Sequence, residues 1–166
     1  LIGFIVGIIQ TIPVDPRDSK AKKILVGILK FIMACYVEFF RGTPMMVQAM
    51  FIYYGSAYLF NINMSMWFAA FFVVSINTGA YMAETGRGGI LSVDVGQTEA
   101  AKAIGMTHVQ TMINVILPQA LRNIMPQIGN NLIINIKDTC VLSIIGIVEL
   151  FYTTKGVAGA YYTYFE

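Results

Sequence analysis

Long apolar runs separated by short polar breaks dominate this chain of 166 residues. Runs at 44–60, 66–83 and 117–136 are about long enough to cross a hydrocarbon layer roughly 30 Å thick as α-helices. A further run at 1–12 would reach only about 18 Å as a helix, so we expect the chain to begin inside a longer helix. The pattern predicts four membrane spans in a single transmembrane domain that is incomplete at both ends.

Residues 20–40 do not form a continuous apolar run like the predicted spans. Large apolar side chains recur there at helical spacing beside lysines, namely Ile24, Leu25, Ile28, Phe31, Ile32 and Cys35. A helix with an apolar face and a basic border lies in the membrane surface rather than crossing the membrane. We therefore predict an amphipathic surface helix after a polar break at 13–19.

The last predicted span is interrupted by Pro118, Pro126 and Gly129. Proline removes a helical hydrogen bond and its ring clashes with the preceding turn, so we expect a kinked or partly unwound helix. Broken spans are where transporters place their binding sites. The apolar run at 141–150 is too short to cross alone and is expected to dip back or to lie against the bundle.

Between the third and fourth spans the chain carries the signals of two short helices. Asp94 with Gln97 and Thr107 with Gln110 have capping-box spacing, and Gly105 stands where a left-handed residue ends a helix. Small residues near this stop would let another backbone approach closely, namely Ala100, Ala101 and Ala103. The stretch predicts a docking surface for another protein, with a plain surface hairpin as the alternative.

Three glycines begin this water-facing stretch, which we place at 86–116. Gly86, Gly88 and Gly89 resemble a phosphate cradle in composition. They follow a membrane span rather than a strand, however, and they lack the lysine and hydroxyl that bind phosphate. We predict a flexible elbow here.

Composition agrees with a membrane protein. Hydrophobic residues make up 57% of the chain and charged residues 12%, and the mean hydropathy is +0.68. The net charge of +2 is too small and too scattered for a nucleic-acid surface. Cys35 and Cys140 are expected to be buried thiols rather than a disulfide or a metal site. The predicted fold class is all-α, a polytopic membrane helical bundle.

Positive charges orient the bundle. With the alanine-rich stretch in the cytoplasm, nine basic residues lie on the cytoplasmic side, namely Arg17, Lys20, Lys22, Lys23, Lys30, Arg41, Arg87, Lys102 and Arg122. Lys137 and Lys155 remain for the other side. This distribution follows the positive-inside rule, whereas the reverse topology would invert it.

Polar side chains inside the apolar spans mark a candidate substrate path. They are Asn77, Thr78, Gln127, Asn131, Asn135 and Asp138. Amides can donate to a carboxylate and accept from an ammonium, and Asp138 could meet an ammonium or a basic side chain. A neutral polar or cationic amino acid therefore fits this path. The alternatives are hydrogen bonds that join helices and, for Asp138, a local ion pair with Lys137.

The sequence contains no recognisable motif for nucleotide binding, metal binding or acid/base catalysis. No phosphate loop of the form G-x-x-x-x-G-K-[ST] and no H-E-x-x-H occurs, and His108 has no second ligand at metal spacing. The acidic residues near the spans fall at or outside the predicted cytoplasmic edge, so no acid/base constellation stands out. We expect a transport subunit with no cofactor of its own rather than an enzyme.

Several ordered motifs resemble the permease subunits of bacterial ABC importers for polar amino acids, the histidine, glutamine and arginine permease family. They are Glu99-Ala100-Ala101 with Gly105, Val115 and Leu117-Pro118; Glu38-Phe39-Phe40-Arg41-Gly42-Thr43-Pro44; Asn77-Thr78-Gly79-Ala80-Tyr81; Gly86-Arg87-Gly88-Gly89-Ile90; and Lys137-Asp138-Thr139. The first departs from the family pattern at Val115, where isoleucine is usual. The resemblance implies a type I importer permease in the bacterial plasma (inner) membrane, whose cytoplasmic loop carries a coupling helix.

The resemblance also implies partners and a mechanism. A separate pair of ATPase subunits would bind ATP and Mg²⁺ and would receive the helix around Glu99–Gly105, with contacts from Glu99, Ala100, Ala101, Ala103 and Gly105. Glu99 has a second interpretation, electrostatic support of its own first helical turn. A second permease subunit, identical or related, and an external or fused substrate-binding protein would complete an importer that works by alternating access. A secondary transporter or channel subunit not driven by ATP is the alternative; it would be expected to carry an internal repeat or a mid-membrane coupling carboxylate.

Overall fold

The computed structural model describes residues 2–12 and 19–162, and these ranges contain helices and no strands. The helices are α1 (Ile2–Thr11), α2 (Lys20–Gly42), α3 (Met45–Met50), α4 (Ser56–Phe60), α5 (Met66–Leu91), α6 (Val95–Ala103), α7 (His108–Thr111), α8 (Leu117–Asp138) and α9 (Leu150–Tyr161). Two π turns, Phe51–Gly55 and Met112–Ile116, and a 3₁₀ segment, Thr139–Ile145, extend them. The predicted all-α class is confirmed. The predictions for Leu1, for most of the polar break at 13–19, including Arg17, and for 163–166 lie outside the described residues.

Each predicted span coincides with a helix, but the helices differ in length. Among the described helices, α5 is long and apolar enough by itself to cross a membrane. A second crossing is counted if His108–Ile145 and Leu150–Tyr161, which meet at 62°, form one bent span. Helix α1 has 10 residues. Four spans therefore remain a prediction.

Contacts divide the chain into two compact units. The first unit comprises 1–39 and 79–131, and the second comprises 40–78 and 132–166. In the first unit, one apolar core joins α1, α2 and α5 through Val6, Val37 and Ala83. Burial raises the pKa of the Tyr36 hydroxyl, which packs against this core and stays neutral near pH 7.

A second core of the first unit lies where the water-facing stretch begins and ends. Val93, Ile116 and Ala120 are buried together there, with Ile90 and Met112 packed against them. By contrast, the apolar face of α2 that begins at Ile24 is exposed on the surface of the chain. Cys35, predicted to be buried, is exposed because it lies on this uncovered face.

The core of the second unit is formed by α3, the first half of α5 and the 3₁₀ segment. Its buried residues are Ala49, Ala69, Ala70, Val73, Leu142, Ile145 and Ile147. The short apolar run at 141–150 therefore lies against the other helices of its unit, one of the two predicted arrangements. Gly146 ends the 3₁₀ segment at a φ of 91°, a conformation that L side chains rarely adopt.

The predicted elbow at Gly86, Gly88 and Gly89 is wrong, because all three residues lie inside α5. Of the three, Gly89 is required by close packing, whereas a Cβ on Gly86 would make an ordinary contact and one on Gly88 would meet nothing within 4 Å. A Cβ on Gly89 would overlap the Cγ2 of Ile124 on α8, and a Cβ on Gly86 would lie 3.5 Å from the ring of Phe4 on α1. Helix α5 thus continues to Leu91, and the water-facing stretch at 86–116 stays a prediction.

Small residues also join α1 to α5. A Cβ on Gly7 would lie 2.7 Å from the carbonyl oxygen of Ala83, and a Cβ on Gly3 would lie 2.8 Å from the amide nitrogen of the same residue. The GxxxG spacing of these glycines therefore lets two helix backbones touch. One turn further on, Arg87 pairs with Glu84, and its Nε donates to Glu84 Oε2 at 3.2 Å.

The predicted unwinding of the fourth span is also wrong at its proline and glycine, because α8 continues through Pro126 and Gly129. Irregular turns stand at its two ends instead. Proline lacks an N–H and crowds the carbonyl four residues earlier, and the wide π turn at Met112–Ile116 provides room just before Pro118.

Candidate functional site

Helix α6 begins at a polar cap and carries the small residues singled out in the sequence. The side chain of Asp94 accepts from the backbone N–H of Gly96 at 2.6 Å. The predicted capping box with Gln97 does not form, because the Oε1 of Gln97 instead accepts from Gln119 Nε2 at 3.3 Å. The long glutamine side chain thus ties α6 to α8 rather than closing back on its own cap.

The stop after α6 has the predicted geometry. Gly105 has a φ of 84° and its N–H donates to the carbonyl of Lys102 at 2.9 Å, while the N–H of Met106 donates to the carbonyl of Ala101 at 3.1 Å. This pair of bonds is a Schellman motif, which satisfies the last carbonyls of the helix. A side chain at Gly105 would strain this turn by about 1 kcal/mol or more.

The next helix begins with the predicted capping box. Thr107 Oγ1 accepts from the N–H of Gln110 at 3.4 Å, and Gln110 Oε1 accepts from the N–H of Thr107 at 2.8 Å. The turn between α6 and α7 is therefore closed by hydrogen bonds on both sides. This leaves α6 as a short, well-terminated helix whose outer face is available.

Burial separates the predicted docking residues. Glu99, Ala100, Ala103 and Gly105 are exposed, whereas Ala101 is 3% exposed and packs inward. Ala101 therefore lies on the inner side of α6 and is not part of its exposed face. Glu99 is the fifth residue of α6, beyond its first turn, so the electrostatic interpretation of its role is not supported.

In the second unit, the predicted path residue Asn77 belongs to a buried hydrogen-bond network centred on Gln48. Gln48 Nε2 donates to the carbonyls of Phe40 and Thr43, both at 2.9 Å, and to Thr43 Oγ1 at 2.7 Å. Asn77 Nδ2 donates to the carbonyl of Phe40 and to Gln48 Oε1, both at 3.2 Å. These bonds satisfy carbonyls at the end of α2, where the helix itself supplies no donor.

Gln48 was not predicted as a site residue, although a signal for it was present. It is the one amide side chain in the run 44–60, and it is 5% exposed. A buried amide in an apolar span needs partners, because an unpaired polar group in that environment is costly. The described bonds of Gln48 and Asn77 fit the structural alternative, hydrogen bonds that join helices, while the substrate-path role of Asn77 stays a prediction.

The remaining path residues of the second unit are Thr78, Asn135 and Asp138. Thr78 Oγ1 donates to Asn135 Oδ1 at 3.2 Å, so these two predicted residues meet. Asp138 is half-buried, and in the described part of the chain it forms no ion pair with Lys137. Its carboxylate also makes no cap for the 3₁₀ segment that follows.

The path residues of the first unit lie on α8 and face α5. Gln127 Nε2 lies 3.5 Å from Asn131 Oδ1, and Asn131 Nδ2 donates to Thr85 Oγ1 at 3.3 Å. Thr85 in turn donates to the carbonyl of Tyr81 at 3.0 Å. A chain of hydrogen bonds therefore fixes the predicted polar stripe, with Asn131 buried and Gln127 exposed.

The chain is apolar and helical, with a well-terminated exposed helix and amides that join its other helices. Residues 21–158 match the family described as "Binding-protein-dependent transport system inner membrane component". The chain belongs to this family, the permease subunits of ABC importers, and the predicted resemblance and type I permease fold are confirmed. Its members are components of the inner membrane and act in transport.

Named relatives agree with this assignment. The chain is 34% identical over 165 residues to a putative glutamine transport system permease protein of Rickettsia prowazekii, covering 99% of the chain and 72% of the relative. It is 45% identical over 116 residues to the glutamine transport system permease protein of Escherichia coli K12, covering 69% of the chain and 53% of that relative. A solved structure titled "Crystal structure of an amino acid ABC transporter with histidines" is 36% identical, with a TM-score of 0.82, over 99% of this chain and 71% of that one.

Proposed function

We propose that this chain is the transmembrane subunit of an ATP-driven importer that moves a polar amino acid into the cytoplasm by alternating access. A separate ATPase pair binds ATP and Mg²⁺ and drives the cycle. The observation that carries this proposal is the exposed face of α6, closed by the Schellman turn at Gly105. Small side chains on that face permit close approach of a groove on the ATPase, and the closed turn holds the helix in shape.

Charge distribution supports a cytoplasmic position for α6. Nine of the eleven basic residues fall on the same side of the proposed membrane as this helix. Arginine and lysine concentrate in cytoplasmic loops of membrane proteins. The proposed topology is therefore multi-pass, with the docking surface of Glu99, Ala100, Ala103 and Gly105 facing the cytoplasm.

The proposed substrate is a neutral polar or cationic amino acid. The names of the relatives, which specify glutamine transport, support the amino-acid class. Asn131, Asn135 and Thr78 supply amide and hydroxyl groups, and Asp138 supplies a half-buried carboxylate without a partner among the described residues. Such groups can receive an ammonium or an amide.

The importer also needs a second permease subunit, a substrate-binding protein and the lipid bilayer. One chain with at most four spans supplies part of the wall of a path, so we propose that a second copy or a close relative completes it. The family description supports a binding protein, since it names binding-protein-dependent transport.

The decisive experiment enlarges α6 without straining it. Ala103→Gln adds bulk at an exposed helical position, and glutamine is a good helix former. We expect co-purification of the co-expressed ATPase to fall at least about tenfold, which corresponds to about 1.4 kcal/mol. Uptake of the amino acid into vesicles should fall in parallel.

Ala21→Gln is the matched control, because Ala21 is an exposed alanine on α2. It should leave both measurements unchanged. Amino-acid uptake by the permease in the absence of any ATPase would overturn the proposal and favour a secondary transporter or channel. Normal ATPase binding by Ala103→Gln would show that the coupling runs through another surface.

A further inference from the structure

An open groove lies between the second half of α5 and α8 in the first unit. Its volume is ≈ 470 Å³. It is lined by Thr85, Gly88, Gly89, Ser92, Asn123, Ile124 and Gln127, none of which carries a charge. Of these residues only Gln127 was expected to meet a substrate.

Glycines set the depth of this groove. A Cβ on Gly89 would overlap Ile124, so glycine at this position lets α8 pack against α5 and closes the floor. A Cβ on Gly88 would meet nothing within 4 Å, so this neighbouring glycine leaves the groove open. One glycine is required by packing, whereas the other provides space.

The described hydrogen bonds of the two lining amides each use one N–H of the amide nitrogen, and neither amide oxygen takes part in one. Asn123 Nδ2 donates to Ser92 Oγ at 3.0 Å, and Gln127 Nε2 lies 3.5 Å from Asn131 Oδ1. Ser92 is itself committed, because its hydroxyl donates to the carbonyl of Gly89 at 2.8 Å. In the part of the chain that the structure describes, no hydrogen bond uses Asn123 Oδ1 or Gln127 Oε1.

In this uncharged groove, two unbonded amide oxygens can accept hydrogen bonds from a ligand that carries N–H groups. Amide oxygens accept from an ammonium or from a primary amide, and they repel a carboxylate. We propose that this groove binds the N–H-bearing end of the amino-acid substrate, as a station near the cytoplasmic end of the path. Asn123, Gln127 and the space at Gly88 form the site. This inference rests on the proposed function, which supplies the amino acid.

The position of Ser92 places the groove next to the beginning of α6. Ser92 lies two residues before Asp94, the cap of α6, and its hydroxyl receives Asn123 of α8. A ligand bound at Asn123 would therefore contact the hydrogen bond between Asn123 and Ser92, which joins α8 to the residues just before α6. A second permease copy seated in the groove is the competing occupant, and it would exclude water from Gly88.

Cysteine protection tests the site in the permease–ATPase complex. Gly88→Cys places a thiol in the open space without removing a hydrogen bond, after Cys35 and Cys140 have been replaced by serine. The rate of labelling by a water-soluble thiol reagent is measured without ATP. We expect millimolar L-glutamine, which carries an ammonium and a primary amide, to slow labelling at least about threefold, or about 0.65 kcal/mol at 25 °C.

Three comparisons make this result specific. Gly129→Cys is the matched control, because Gly129 is an exposed glycine of α8 with nothing within 4 Å of a Cβ. Its labelling should not respond to glutamine. Glutarate, which has no N–H donor, should not protect Gly88→Cys, and Gln127→Leu added to Gly88→Cys should abolish the protection by glutamine.

Equal labelling of Gly88→Cys with and without glutamine would overturn the inference, as would equal protection by glutarate. A thiol that does not react in the purified complex would assign the groove to the second permease copy. Amino-acid uptake by the Gly88→Cys complex and by the unmodified complex distinguishes a failure of the groove assignment from a failure of the proposed function. If uptake persists without protection, only the groove assignment fails; if no amino acid is taken up by the unmodified complex, the proposed function itself fails.

Discussion

Two amide pairs in this permease look alike in the sequence and differ in the structure. Gln48 and Asn77 are buried, and their amide groups are bonded to carbonyls and to each other. Asn123 and Gln127 are exposed along a groove, and their carbonyl oxygens accept no described hydrogen bond. The first pair is buried and joins helices, although no described hydrogen bond uses Asn77 Oδ1. The second pair lies along the groove, and neither of its amide oxygens takes part in a described hydrogen bond.

Polar side chains inside an apolar chain can therefore have two different roles. A buried amide must be paired, because burying it unpaired costs several kcal/mol. Once its donors and acceptors are paired, it has nothing left with which to recognise a substrate. The candidates for a substrate path are therefore the polar groups whose bonding is incomplete, rather than the polar groups that lie deepest.

The largest effect is expected from removing the centre of the buried network. Gln48→Met keeps the length of the side chain but removes the bonds that Gln48 Nε2 donates to Phe40 and Thr43, and the bond that Gln48 Oε1 accepts from the buried Asn77 Nδ2. Each orphaned buried group costs about 1–3 kcal/mol, so we expect a stability loss of about 3 kcal/mol. The thermal unfolding midpoint of the purified complex measures this loss.

Gln97→Met is the control for this substitution, since Gln97 is exposed and accepts a single described bond at 3.3 Å. It should change the midpoint little. Equal midpoints for the two variants would mean that the network around Gln48 does not hold the helices together.

A smaller effect is expected from the two neighbouring glycines of the groove. Gly89→Ala would force its new methyl group against Ile124, and overpacking of this kind costs about 2 kcal/mol. Gly88→Ala meets open space and should stabilise α5 by about 0.5–1 kcal/mol, because alanine favours the helix. Unfolding midpoints of the two variants should therefore move in opposite directions, and movement in the same direction would contradict the packing described for α5 and α8.

The smallest effect is expected from the exposed pair. Asn123→Ala removes one bond of 3.0 Å, while Ser92 keeps its bond to the carbonyl of Gly89. We expect a stability loss below about 1 kcal/mol together with a clear fall in amino-acid uptake at unchanged ATPase binding. A large loss of stability with normal uptake would place Asn123 with the structural amides and end the contrast with Gln48.

Local signals in the sequence predicted the turn between α6 and α7 well. The stop at Gly105 and the box of Thr107 with Gln110 depend on residues within a few positions of each other, so spacing alone contains the information. The cap of Asp94 was predicted only in part, because Gln97 found a partner 22 residues away on α8. Competition from a distant helix is invisible in a local pattern.

The glycines of α5 show the same limit. Gly86, Gly88 and Gly89 have the composition of a flexible elbow, yet all three lie inside α5, and α8 packs too closely against Gly89 for a Cβ there. Glycine weakens an isolated helix by up to about 1 kcal/mol, and close packing offsets this cost. The sequence contains the glycines, but not the helices that use them.

Sequence alone was enough for the all-α class and for the turn at Gly105, because hydrophobic periodicity and capping are local properties. It also singled out polar residues inside the spans. Only the tertiary structure decided which of these residues are paired and which retain a free acceptor. Pairing depends on which helices become neighbours, and the interactions of Gln48 with Asn77 and of Asn123 with Ser92 join positions about 30 residues apart in the chain.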